Sequence, residues 1–391
     1  MTTWALPENL EDVLPADARK LERARRIAID TFASRGYELV VPPLIEYVES
    51  LLSGVGKDMD LATFKLVDQL SGRMLGVRAD TTPQVARIDA HVLNRSGVTR
   101  LCYAGSVLHT RPAGLGKSRQ PFQVGAELYG AACLEADIEI QQLLLDTLAA
   151  IGVPALRLDV GHPSVFRALL DAIDQGQAPE SISARREALF AAVAAKDRVA
   201  LQSTLADLPD AVRAHAQALI ALPELYGTDP ASVLATAEKQ LPALPAITQA
   251  LAQLRQVAAH FSASGIEVSI DLGELGGFNY ESGIAFAVFA RGAAEAVGRG
   301  GRYDDIGRAF GRARPATGFS MDLKALLGLI EEPADAPLVV APISADPALA
   351  VAIAALRAGG VRVINQLPNE KADGLSQLEL IDGRWQVVTR K

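Results

Sequence analysis

Cysteine is nearly missing from this 391-residue chain: Cys102 and Cys133 are the only two, with no CxxC spacing and no Cys/His cluster. That count excludes a disulfide framework and a structural zinc site, and no metal or cofactor is expected. An excess of positive charge is also missing, since 38 basic side chains face 46 acidic ones for a net charge of −8. A chain of this sign has no bulk attraction for nucleic acid or anionic lipid, which leaves only a local basic groove to be judged from motifs. Long apolar runs are absent. The longest uncharged stretches, such as Leu241–Leu254, carry prolines and polar residues and are too short to span a bilayer, so no membrane contact is expected. The opening MTTWALPENLEDVLP is acidic and has neither the basic nor the apolar region of a signal peptide, which points to a cytoplasmic protein. No internal repeat is visible.

What is present is ordinary for a folded chain: 49% apolar and 21% charged residues, over a length that suits about two or three domains. Residues 16–34 carry apolar side chains at helical spacing, with Gly36 as the stop. YELVVPPLIEY follows, a strand whose two prolines suit an edge or an interface. FKLVDQLSGRMLGVRAD predicts a hairpin turning at Ser71–Gly72, its second strand delivering Arg78 to Asp80. TRLCYAGSVL and PFQVGAELYG are two more strands, then a helix over Leu134–Ile151 and a strand over Leu156–Val160. Residues 163–263 are rich in alanine and leucine with no strand pattern, and form a helical insertion between two parts of one core, 1–162 and 264–330. Strands return at Ile266–Leu272 and Ile284–Ala290. A glycine-rich turn is expected at Gly298–Gly301, then a strand-helix unit over Ala316–Leu329. After the linker EEPADAP, the tail 331–391 holds a strand, a helix from Pro347 to Arg357 capped by Asp346, a strand VRVI, and a hairpin turning at Asp382–Gly383. Strand groups separated by helix groups argue for an α+β fold with a mostly antiparallel sheet.

Several polar residues stand where chemistry could occur. Asp80 and Thr82 close a strand; alone they fit a strand-end turn as well as a binding site. Gln123 and Glu127 lie four apart on one strand and so share a face; alone they fit a solvated sheet face. Lys117 and Arg119 occupy a loop and could contact an anion or simply be solvated. A short glycine cluster such as Gly300–Gly301 is weak evidence for phosphate binding.

Taken in order, five segments resemble the catalytic core of class II aminoacyl-tRNA synthetases, and of histidyl-tRNA synthetase in particular. GYELVVPPLIEY resembles the first, dimer-interface motif. RADTTPQVAR resembles the strand-loop that holds an α-amino group. Arg100–Gly130 resembles the second motif with its loop and the following substrate strand. ELGGFNYESG resembles a histidine-specific signature, and GGRYDDIGRAFGRARPATGFSMDLKAL resembles the last signature running into the third motif. The resemblance implies a class II synthetase-like sheet and a histidine pocket made by Asp80, Thr82, Gln123, Glu127, Tyr280 and Tyr303. Glu281 stands where the pattern has a second tyrosine.

The departures from that pattern decide the functional expectation. Bringing a carboxylate to the α-phosphate of ATP forces anions together, and preorganised cations must offset the charge. The three arginines that supply them in the family are replaced by His109, Gly276 and Ala325, and a glutamate that reads adenine falls at Arg111. Losing one such donor costs about 3–4 kcal/mol, roughly 10²–10³ in rate. No catalytic residue is therefore assigned. The tail is also shorter than an anticodon-binding domain, a truncated remnant of one with eight acids against six bases, which argues against tRNA. A synthetase-like body without its cations resembles the regulatory-subunit family of ATP phosphoribosyltransferase. That resemblance implies a catalytic-subunit partner, a homodimer through the first-motif region, and histidine feedback on the first step of histidine biosynthesis. Two readings stay open beside it, a true histidyl-tRNA synthetase with displaced catalytic groups and a tRNA-binding sensor on the same scaffold.

Overall fold

The first helix follows directly from its periodicity. α1 (Pro15–Ser34) buries Ala24, Ala28 and Phe32, one apolar residue per turn, and the chain leaves it through Gly36 at φ +80°. The computed structural model describes residues 4–53, 57–114, 116–175, 179–275, 281–331, 337–368, 370 and 374–389. They fall into two compact units, which divide between Glu331 and Glu332.

The segment YELVVPPLIEY does not form one strand. Pro42 and Pro43 have no N–H to donate, and the chain changes sheets across them. β1 (Glu38–Leu39) lies at the edge of a large sheet, whereas β2 (Ile45–Tyr47) joins a separate three-stranded one. After α2 (Val48–Leu51) and α3 (Lys57–Ala62), the expected hairpin forms as β3 (Phe64–Val67) and β4 (Met74–Val77), paired from Phe64↔Val77 to Val67↔Met74 with Gly72 at φ +70°. β4 ends at Val77, so Arg78–Asp80 lie just beyond the strand rather than within it, immediately before α4 (Thr82–Arg87).

The large sheet is built next. β5 (Thr99–Ser106) and β6 (Phe122–Tyr129) pair antiparallel along their whole length, α5 (Leu134–Ile151) follows, and β7 (Leu156–Gly161) returns to the sheet. Then come α6 (Pro163–Asp174), α7 (Pro179–Ala194), α8 (Arg198–Leu205) and α9 (Arg213–Ala221). The helical stretch is interrupted once by a two-residue strand, β8 (Tyr226–Gly227), before α10 (Pro230–Gln240) and α11 (Pro245–Ala263). β9 (Glu267–Asp271), β10 (Ala285–Ala290), β11 (Gly298–Arg302) and β12 (Ala316–Asp322) complete the sheet, and α12 (Leu323–Leu326) is a single turn. The order is β1-β5-β6-β12-β11-β10-β7-β9-β8, parallel only at β1·β5 and β7·β9. This is the expected α+β fold with a mostly antiparallel sheet.

Gly298–Gly301 is a strand, not the expected turn. None of its glycines has a positive φ. A Cβ on Gly300 would run into the Gly318 carbonyl and approach Phe286 to 2.5 Å, and one on Gly298 would lie 2.8 Å from Leu144. Glycine is used here for close approach across the sheet, not for backbone freedom.

Strand alternation sorts the two faces. Val124, Ala126 and Leu128 of β6 point into the main core with Leu143, Leu144 and Leu148 of α5, where Phe32 and Phe319 meet edge to face at 5.8 Å. Leu169, Leu219 and Leu254 of the helical stretch belong to that same core. Gln123, Gly125, Glu127 and Tyr129 therefore take the opposite face. There a smaller apolar cluster of Val85, Leu101, Tyr103, Tyr129, Tyr303 and Ala316 supports them.

His162, just ahead of α6, is buried, with Nε2 2.9 Å from Gln253 Oε1. Burial pulls its pKa down to about 4. As pH falls, the unfolded chain takes up this proton first, near pH 6.5. The stability held by neutral His162 is thus complete above pH 6.5 and lost toward pH 4, roughly 3 kcal/mol in all. In denaturant melts across that range, His162→Gln should weaken the pH dependence, with its gap to the parent protein narrowing as pH falls.

The second unit has its own core. β13 (Leu338–Ala341), α13 (Pro347–Ala358), β14 (Arg362–Asn365), β15 (Ser376–Ile381) and β16 (Arg384–Val388) form a four-stranded sheet ordered β14-β13-β15-β16. Val339, Val363, Leu378 and Leu349 of the helix fill it. Asp346 caps α13 as expected, accepting from the Ala348 N–H at 2.9 Å, and its other oxygen accepts from Trp385 Nε1 at 2.7 Å. The hairpin turns through Asp382 and Gly383, both at positive φ. Most of the linker EEPADAP, residues 332–336, lies outside the described residues.

Candidate functional site

The end of β4, the first turn of α4 and the face of β6 opposite the core converge on one carboxyl group. Glu127 is buried in mid-strand. Its Oε1 accepts from Thr82 Oγ1 and from Tyr103 OH, both at 3.2 Å. Its Oε2 is buried and has no hydrogen-bond partner. A buried acceptor left in that state costs free energy unless something else supplies a donor.

Asp80 stands beside it. Asp80 Oδ1 accepts from the Thr82 N–H at 3.0 Å and from Gln123 Nε2 at 2.7 Å, while Gln123 Oε1 accepts from the Thr81 N–H at 2.9 Å. Gln123 thus spends both ends of its amide on the loop ahead of α4. Its place is to fix Asp80 and Thr81.

The floor of the pocket is made by two glycines paired across β11 and β12, Gly301 opposite Gly318, with Glu127 opposite Gly318 on the other side. A Cβ on Gly318 would land on Glu127 Oε2 and lie 2.5 Å from Tyr303 OH. A Cβ on Gly301 would lie 2.5 Å from Glu281 Oε1. Two missing side chains therefore make the space that Glu127, Tyr303 and Glu281 surround.

Burial raises the Glu127 carboxyl well above the usual range, and the nearby Asp80 charge adds to the shift. Burial likewise raises Tyr103 and Glu281. The pocket is a cluster of acidic groups, with Arg299 and Arg167 acting only on Glu281 at its edge. Such a site takes N–H donors and positive charge; it offers little to a phosphate.

Of the residues singled out from sequence, Asp80, Thr82, Gln123, Glu127 and Tyr303 are brought together. Tyr280 and Gly276 lie outside the described residues. Lys117 makes an ion pair with Glu295 at 3.1 Å, and Arg119 donates to the carbonyls of His109 and Glu8 and lies over the Phe64 ring. Both cations are thus engaged by the protein itself. His109 places Nε2 2.9 Å from the Ala79 carbonyl, and Arg111 and Ala325 are exposed. Tyr103 and Gly318 escaped sequence reasoning, and Gly301 was read only as part of a turn or a weak phosphate signal. The sequence carried the alternation Gln-x-Gly-x-Glu along β6, whereas the pairing of Tyr103 with Gly125 appears only in the structure.

No group of His, Cys, Asp or Glu among the described residues could hold a metal ion, and no described helix is long and apolar enough to cross a membrane. A mostly antiparallel sheet of this order, with a cluster of buried acids on one face, defines a class II synthetase-like fold. The solved structures agree on the fold. A protein of Bacillus halodurans described as an ATP phosphoribosyltransferase regulatory subunit/histidyl-tRNA synthetase aligns with TM-score 0.80 at 23% identity over 95% of each chain. A Nostoc histidyl-tRNA synthetase aligns with TM-score 0.75 at 18% identity, covering 100% of this chain and 97% of that one.

A histidyl-tRNA synthetase family model matches residues 9–326, and the model for the ATP phosphoribosyltransferase subunit HisZ C-terminal domain matches 336–388. The tail thus matches a family model of its own. The ATP phosphoribosyltransferase regulatory subunits of Ralstonia nicotianae and Ralstonia pickettii are 54% and 55% identical over 100% of this chain and 99% and 98% of theirs. The chain belongs to the family of ATP phosphoribosyltransferase regulatory subunits.

Proposed function

We propose that this protein is the non-catalytic subunit that activates a short-form ATP phosphoribosyltransferase catalytic chain in the cytoplasm, and that histidine bound around Glu127 carries feedback on the first step of histidine biosynthesis. The observation that carries the reading is Glu127 Oε2, a buried carboxyl oxygen without a hydrogen-bond partner beside Gly318. The pocket sits in a body whose three catalytic arginine positions hold His109, Gly276 and Ala325. A pocket kept without its chemistry can act as a sensor, because a ligand shifts an equilibrium by its differential affinity for two states. In this reading Asp80 takes the α-ammonium group, Thr82 and Tyr103 hold Glu127, and Glu127 meets the imidazole.

The same proposal includes a homodimer. Val41, Leu44 and Ile45, around the two prolines of the first motif, are 81%, 51% and 44% exposed, and such a run of apolar side chains is a natural interface. Nucleic acid has no part in it.

The test is to mix the protein with the short catalytic chain of the same organism and follow phosphoribosyl-ATP formation with and without histidine, with sedimentation of the mixture. Activation reversed by histidine, in a complex containing two copies of this chain or a multiple of two, is the expected result. An unchanged rate with no co-sedimentation would overturn the proposal.

A further inference from the structure

Glu281 is a buried carboxyl of the pocket to which the proposed function gives no role. It is 5% exposed, and its Oε2 is buried without a hydrogen-bond partner, as is Glu127 Oε2. The two groups border the same pair of glycines. Glu281 Oε1 lies 2.5 Å from where a Cβ of Gly301 would be, and Glu127 Oε2 sits where a Cβ of Gly318 would be. Gly301 and Gly318 are directly opposite each other in neighbouring antiparallel strands. Their Cα atoms are therefore about 4.5–5.5 Å apart, and the two carboxyl groups flank this one glycine pair.

Two buried carboxyl oxygens without partners, beside one pair of glycines, are placed to hydrogen-bond a ligand from two sides. We infer that Glu281 is a second reader of the ligand side chain and that the pocket holds an imidazolium, one ring N–H donated to Glu127 and the other to Glu281. This deepens the histidine-pocket reading above and rests on it. A tyrosine at position 281 could hold a neutral ring; a carboxyl there favours the charged one.

The proton is supplied within the site. Glu274, ahead of β10, adds to the burial that keeps a proton on Glu281, while Arg299 of β11 and Arg167 of α6 oppose it. When a neutral ring enters, its free nitrogen takes the proton of the Glu281 carboxyl. The O–H bond breaks and an N–H bond forms, leaving a carboxylate against an imidazolium with no proton drawn from solution. Asp80 faces the α-ammonium group at the other end of the ligand.

The experiment is 15N NMR of ring-labelled histidine bound to the full chain at pH 8, where the free ring is neutral, together with calorimetric titration. Both ring nitrogens should appear protonated in the complex. Glu281→Gln should return the bound ring to its neutral form and weaken binding at least about tenfold. 1,2,4-Triazole-3-alanine, similar in shape but far less basic, should bind more weakly than histidine to the parent protein and lose most of that disadvantage in Glu281→Gln. Glu127→Ala separates the two claims. If it abolishes binding while Glu281→Gln binds as the parent does, or if the bound ring is neutral in the parent protein, the role of Glu281 falls and the histidine pocket stands. If the parent protein binds no histidine at all, both fall.

Discussion

Replacing Arg302 by methionine is expected to cost about 3–5 kcal/mol of folding stability, the penalty for leaving a buried charge without its partner. Arg302 and Asp137 are 7% and 3% exposed. The guanidinium meets the Asp137 carboxylate at 2.9–3.1 Å and also donates to the carbonyls of Ala131 and Cys133 and to Asp304. It thereby ties the end of β11 to the start of α5, and it leads directly into Tyr303 of the pocket. Burial raises the Asp137 carboxyl above its usual range even with Arg302 beside it.

Without Arg302 that pKa rises further, so the folded variant holds a proton that the unfolded chain has released. Its stability then falls as pH rises, and the deficit against the parent protein should be largest at neutral pH and shrink toward pH 4. Denaturant melts at several pH values read this directly. Adding Asp137→Leu to Arg302→Met should recover much of the loss, because an apolar pair of similar volume carries no stranded charge. A single variant as stable as the parent at pH 7 would show that the pair is not structural.

Gly318→Ala is expected to remove histidine binding while leaving the fold almost intact. The new Cβ falls on Glu127 Oε2 and near Tyr303 OH, both the far ends of side chains, which can turn aside. The fold loses little, whereas the volume that would hold a ring is filled and the Glu127 carboxyl is displaced. Affinity should drop at least about tenfold, or ~1.4 kcal/mol. Gly300→Ala, two residues from Arg302 on the opposite face of the sheet, should do the reverse. Its Cβ meets the Gly318 carbonyl, which is backbone and cannot move aside, so overpacking should cost roughly 1–3 kcal/mol or more. Calorimetric titration and thermal melts of the pair separate the two effects. Undiminished histidine binding by Gly318→Ala would place the ligand elsewhere on the protein.

The elements that depend on a residue's near neighbours in the chain could be read without the structure. Helical spacing placed α1 and α5 to within a residue, and turn chemistry placed the hairpins at Ser71–Gly72 and Asp382–Gly383, because hydrogen bonds and backbone preferences over a few residues decide them. The substitutions at His109, Gly276 and Ala325 were equally plain, since the absence of an arginine is a property of the sequence. Glycine was ambiguous: at Gly298–Gly301 it serves close packing rather than a turn, and only the strands on either side decide which. Gln123 could be placed on the right face, but not turned toward Asp80 and Thr81, which lie more than forty residues earlier. The burial of Glu127 and Glu281, and with it their demand for donors, likewise comes from chain segments remote in sequence. The sequence by itself determined the local elements and the loss of the catalytic cations. Which acids come together, and which of their oxygens are buried without a partner, was decided by the pairing of β6, β12 and β11, because desolvation and hydrogen bonding act through space and not along the chain.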